Sequence, residues 1–184
     1  MDGFRLSYER YEEIKEIVVD MFERYQVSCV PIRGFEIASK MGVKVMPYSA
    51  YDEPTHTLLM KESEDGFFAE TMNGEFFIFY NDSVGHGRTN HTIMHEIAHI
   101  VLGHTEDSDL ADLEVRFFAK YALAPPVLIH KLKLENPHEI ADVFDISLEA
   151  AYYAFNYYWK WRTFGDVFFT AYEIKTLELF QEVG

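Results

Sequence analysis

The sequence is poor in several things at once, and each shortage removes a class of function. It has one cysteine, Cys29, in 184 residues, so no internal disulfide can brace it. Basic residues are scarce, sixteen Lys and Arg against thirty-one Asp and Glu for a net charge of −15, and no long basic block appears. Direct binding to nucleic acid is therefore not expected. No uninterrupted apolar run approaches the ~20 residues of a membrane span; Phe76 to Tyr80 is typical of the longest. Repeats, a Gly-rich phosphate loop and a low-complexity tail are also missing. With no basic-plus-apolar leader, the expected compartment is a reducing cytoplasm. What is present is a 48% hydrophobic composition, ample for one compact unit or a core with a small appendage. The acidity reads as a soluble surface, or as one suited to a basic partner protein.

The run His95-Glu96-Ile97-Ala98-His99 is the most informative feature. From Thr89 to Thr105 the only charged or titratable groups are Glu96 and the histidines. Ile93, Met94, Ile97, Ile100, Val101 and Leu102 make the pattern apolar nearly all round, as in a buried helix. A buried glutamate needs a partner. His95 and His99, four apart, share one helical face, the spacing at which two imidazoles grip one metal ion. Glu96 projects about 100° away from His95. It is placed to act on a metal-bound water as general base, the division of labour in H-E-x-x-H metallopeptidases.

A catalytic zinc site needs a third protein ligand and one open position. The extended pattern with a third histidine six after the second fails, because that position is Thr105; His104 is one residue off, and Leu102 stands in place of the glycine. His91 is excluded because His91 and His99 would lie about 12 Å apart along the axis. On the segment Asp109 to Tyr121, Leu110, Leu113, Phe117, Phe118 and Tyr121 form an apolar stripe, and Asp109, Asp112, Arg116 and Lys120 a polar one. Glu114 falls in the apolar stripe, where a carboxylate is costly unless something positive meets it. A metal held by the preceding helix would do so; an arginine such as Arg88 is the alternative. Asp112 is expected to pair with Arg116 on the solvated face. For oxyanion stabilisation His104, His86, Tyr80 and Tyr121 are candidates by chemistry only.

Along the chain, Tyr8, Tyr11, Ile14, Val18, Met21, Phe22 and Tyr25 recur at helical spacing. Residues 34–41 suggest a short helix ended by Gly42, and Val43 to Tyr48 a strand. Residues 49–66 read as a loop, with Thr57 to Met60 as a possible brief strand. Phe67 to Met72 and Glu75 to Tyr80 flank Asn73-Gly74, a hairpin signal. The metal helix and the Glu114 helix follow; Pro125-Pro126 closes the latter. A shorter unit then runs His138 to Phe144, with Ser147 capping a helix to about Trp161. That last helix is aromatic on more than one face, which implies packing on the core or, alternatively, a docking surface for a protein. Strands early and helices late make an α+β pattern, with residues 1–126 as core and 127–184 as helical appendage.

The chain resembles the ImmA/IrrE-type metallopeptidases of mobile genetic elements, prophages and stress regulons. The resemblance is carried by Phe76-Phe77-Ile78-Phe79-Tyr80-Asn81-Asp82, by Gly87-Arg88, by Thr92-Ile93-Met94-His95-Glu96-Ile97-Ala98-His99, and by Leu102-Gly103-His104. Glu114 aligns with the first residue of the family's E-A-N-x-F-A run, here Glu114-Val115-Arg116-Phe117-Phe118-Ala119. Val115-Arg116 in place of Ala-Asn, and Ala154 where arginine is common, depart from it. The resemblance implies a zincin-like core with a small sheet and hairpin packed on helices. It also implies cleavage of one specific protein, an XRE-type helix-turn-helix repressor. The expected metal set is His95, His99 and Glu114. Zinc is favoured, with manganese or iron compatible with the same ligands. A metal-stabilised protein that sequesters a regulator without cutting it is the alternative.

Overall fold

The computed structural model describes residues 5–106, 108–165 and 167–183. It opens on α1 (Tyr8–Arg24), started by the Ser7 hydroxyl, which accepts the Arg10 N–H at 3.1 Å. Ile14, Val18, Met21 and Phe22, three and four apart, are all buried, as their spacing predicts. The short helix α2 (Gly34–Met41) stops at Gly42, whose φ of 77° is the left-handed conformation a glycine cap takes without strain. The strand β1 (Lys44–Pro47) is shorter than expected, because Tyr48 enters a 3-10 turn over Tyr48–Ala50.

Residues 49–66 correct the sequence reading: they hold a helix, α3 (Glu53–Glu62), and neither a plain loop nor a strand at Thr57–Met60. None of its residues is buried, so no apolar periodicity marks it. Its signal is local: Asp52 accepts the Thr55 N–H at 3.2 Å and Pro54 stands in the first turn.

The hairpin forms where Asn73-Gly74 indicates. β2 (Gly66–Glu70) pairs antiparallel with β3 (Phe76–Tyr80), Phe68 opposite Ile78. Thr71 N–H donates to Glu75 O at 2.9 Å and Gly74 N–H to Thr71 O at 2.8 Å, so the loop comprises Met72, Asn73 and a left-handed Gly74. β1 adds parallel to β3, giving the order β1-β3-β2 and leaving β2 at an edge.

The two central helices are α4 (His86–Leu102), ended by left-handed Gly103, and α5 (Asp109–Leu123). They pack on each other, with α4 also lying against α2, β2 and β3 and α1 against α5. Pro125-Pro126 closes α5 as expected, and Pro126 opens a further helix, α6 (Pro126–Lys131). Then come α7 (Pro137–Phe144), α8 (Leu148–Phe164, capped by Ser147) and α9 (Ala171–Leu179), the last started by a Thr170/Glu173 capping box. Phe22, Ile37, Ile78, Ile93, Ile97, Phe118, Phe144 and Phe180 are fully buried in one cluster. The architecture is α+β, and among the described residues no helix is long and apolar enough to cross a membrane.

α4 is tied to the first part of the chain by Asn90. Its Oδ1 accepts the Gly34 N–H at 2.7 Å, and its Nδ2 donates to Ile32 O at 3.0 Å, both buried. Replacing Asn90 with Ala strands both backbone groups, and should cost about 2–3 kcal/mol of stability in urea denaturation. A loss under about 0.5 kcal/mol would mean that these bonds do not hold α2 to α4.

Candidate active site

Helical pitch brings His95 and His99 to one face of α4, their ring centroids 5.2 Å apart. The left-handed Gly103 then folds the chain back, so that His104 N–H donates to His99 O at 3.0 Å and its ring lies 5.3 Å from that of His99. The two Nδ1 atoms are 3.3 Å apart. From β2, the Phe68 ring stacks on His99 at 5.5 Å, so the sheet edge covers one face of that imidazole.

Glu96 is buried, as the sequence predicts, and its Oε2 accepts the backbone N–H of Phe68 at 3.0 Å. This carboxylate is thus set between α4 and the edge strand, a contact across 28 residues that no local pattern announces.

Glu114 is buried on α5. Arg10 grips it with both arms of its guanidinium, Nε to Oε1 at 2.6 Å and Nη2 to Oε2 at 2.9 Å, while His104 Nε2 donates to Oε2 at 2.9 Å. Arg10 foremost, then His104, holds the Glu114 carboxyl below the usual range against the opposing effect of burial. The arginine beside Glu114 is Arg10 and not Arg88; Arg88 pairs with Asp65 at 2.7 Å on the surface. Asp112 pairs with Arg116 at 3.0 Å, as expected.

The donor chemistry suits a divalent cation. Burial above all, with repulsion from His99 and His91, pushes His95 down to about 4, which leaves a neutral imidazole at neutral pH. His104 bridges α4 and α5, its Nε2 2.9 Å from Glu114 Oε2 and its Nδ1 facing Nδ1 of His99. The arrangement itself is not a closed cage. Among the described residues no three His, Cys, Asp or Glu side chains are grouped to hold one ion, and Glu114 bonds to Arg10 and His104. Of the other oxyanion candidates, His86 faces Asp145 at 3.3 Å on the surface. Tyr80 packs edge-on against Phe35 at 5.4 Å. Tyr121 is buried, its hydroxyl without a hydrogen-bond partner among the described residues. Only His104 lies beside the H-E-x-x-H helix face.

The family model of the IrrE N-terminal-like domain, peptidase M78, matches residues 38–156, more than half of the chain. The chain belongs to this family. No curated protein matches the sequence. Family membership makes the protein a metallopeptidase by class, which implies a divalent metal, typically zinc, and a protein substrate. The matched segment contains Phe68, His95, Glu96, His99, His104 and Glu114; α1, with Arg10, precedes it.

Sequence reasoning missed Arg10 and Phe68. Arg10 is 104 residues from its partner, and Phe68 acts through its backbone, so neither had a readable signal.

His91 and His95 both lie below the ordinary histidine value, chiefly through burial. The folded state therefore binds protons less readily than the unfolded chain, and the stability this gives is full above pH ~6.5 and lost as pH falls toward 4. Chelator-treated protein should show a falling urea midpoint between pH 7 and pH 4.5, and His95→Gln should flatten the slope. An unchanged midpoint over that range would show that these imidazoles are not desolvated.

Proposed function

We propose that the chain is a zinc-dependent endopeptidase that cuts one specific protein, with Glu96 as general base. The observation that carries this reading is the buried Glu96 carboxylate, held by the edge strand's Phe68 N–H, on the same helix as the paired His95 and His99 rings. His95 and His99 would hold the metal, with Glu114 as third ligand; when bound, it would lower the pKa of a water toward ~7 and polarise the scissile carbonyl. Glu96 takes the proton of the attacking water and returns it to the leaving amine. An extended substrate segment lies along the edge of β2. His104 keeps the Glu114 carboxylate oriented through its 2.9 Å bond.

The substrate proposed is an XRE-type helix-turn-helix repressor, cleaved in the cytoplasm. Besides the family resemblance, a net charge of −15 favours encounter with the basic surface of a DNA-binding protein. In this reading residues 1–126 form the zincin-like catalytic core and residues 127–184 brace it. A second reading, sequestration of the regulator without cleavage, is favoured by the engagement of Glu114 with Arg10. Recovery of intact repressor in a stable complex would support that second reading.

Glu96→Gln separates the two. The amide oxygen can still accept the Phe68 N–H, so the variant should fold and bind zinc normally yet lose about 10²–10⁴-fold in cleavage of the candidate repressor. Equal cleavage by variant and wild type would rule out Glu96 as base. Metal analysis of the purified protein distinguishes zinc from manganese and iron.

A further inference from the structure

We infer that Arg10 is an internal competitor for the metal: the guanidinium from α1 and the cation draw on the same Glu114 carboxylate, and each weakens the other's hold on it. The inference rests on the reading of Glu114 as third ligand and adds the element that governs its availability. Both carboxylate oxygens carry hydrogen bonds in this structure, Oε1 from Nε and Oε2 from Nη2 and His104. A metal ion must contact at least one of them, and a dication cannot approach an oxygen that a guanidinium already covers without strong like-charge repulsion. His104 poses no such conflict, because a ligating carboxylate ordinarily keeps an outer hydrogen bond.

Arg10 also has a place to go. Its Nη1 donates to Glu13 at 2.9 Å on the same helix, and its side chain is 31% exposed against 7% for Glu114. Release from Glu114 thus moves the guanidinium outward to an acidic neighbour in water, while α1 stays packed on α5. The two positions define two states, one with Glu114 neutralised from within and one with Glu114 turned to His95 and His99. If the second state holds about a tenth of the population, apparent metal affinity is about tenfold weaker than the intrinsic value. Arg10 belongs to a helix that lies before the family-matched residues 38–156, so the competitor is supplied by this chain's own first helix.

The test measures zinc affinity by competition with a chromophoric chelator, and zinc-induced shifts in the unfolding midpoint. It uses the full chain as wild type, Arg10→Met, Arg10→Lys, Glu114→Gln and the double variant. Arg10→Met should tighten zinc about tenfold and enlarge the zinc-induced midpoint shift. Arg10→Lys, which keeps the charge but not the fork, should fall between and serves if Arg10→Met does not fold. In the Glu114→Gln background, removal of Arg10 should change nothing, and Arg24→Met, a remote charge removal, should leave affinity unchanged. Unaltered or weaker binding in Arg10→Met, or an equal gain without Glu114, overturns the inference. If zinc still requires His95 in that case, the metal centre stands and only the competitor falls; zinc binding by no variant overturns both.

Discussion

A carboxylate carried into an apolar interior must be met by a cation or by hydrogen-bond donors, and the site is organised around two that obey this constraint. Glu96 meets the backbone N–H of Phe68; Glu114 meets Arg10 and His104. These answers decide which elements must touch. The first presses the edge strand onto α4, where Phe68 also covers His99. The second joins α1, the Gly103 turn and α5 at one point. The Arg10–Glu114 pair is only half-buried: Arg10 is 31% exposed and also pairs with Glu13, and without it Glu114 would keep His104 alone.

The family match and the geometry divide the machinery in an informative way. Residues 38–156, the family-matched segment, contain the hairpin, the H-E-x-x-H helix and Glu114. Helix α1 lies before that segment, yet it contributes the closest partner of Glu114. On the proposed reading of Glu114 as a ligand, this charge pair opposes metal binding. Under that reading, stability and metal affinity are linked through one carboxylate.

The far end of the molecule shows another division. On α8, Tyr158 is buried and Phe155, Tyr157 and Trp161 pack on the core, while Tyr152, Tyr153, Trp159 and Phe164 are exposed. Packing thus accounts for one side of this aromatic helix and leaves the other in water. Trp161 Nε1 also donates to Glu173, and Phe180 meets Phe22 edge-on at 5.7 Å, so α9 is fastened both to α8 and to α1.

Much of this was legible along the chain. The spacing of Ile14, Val18 and Phe22 marks α1, Asn73-Gly74 marks the hairpin, and Ser147 marks the start of α8, because periodicity and caps act over a few residues. The helix α3 was not read: none of its residues is fully buried, and its local signals are only the Asp52 cap and Pro54 in the first turn. The placement of His95, Glu96 and His99 relative to one another follows from helical pitch, so the sequence by itself determined it. Which group meets each carboxylate is a different matter. Arg10 reaches Glu114 across 104 residues and Phe68 reaches Glu96 through a main-chain N–H; only the tertiary structure decided these, since long-range contacts depend on how elements pack and leave no local periodicity behind.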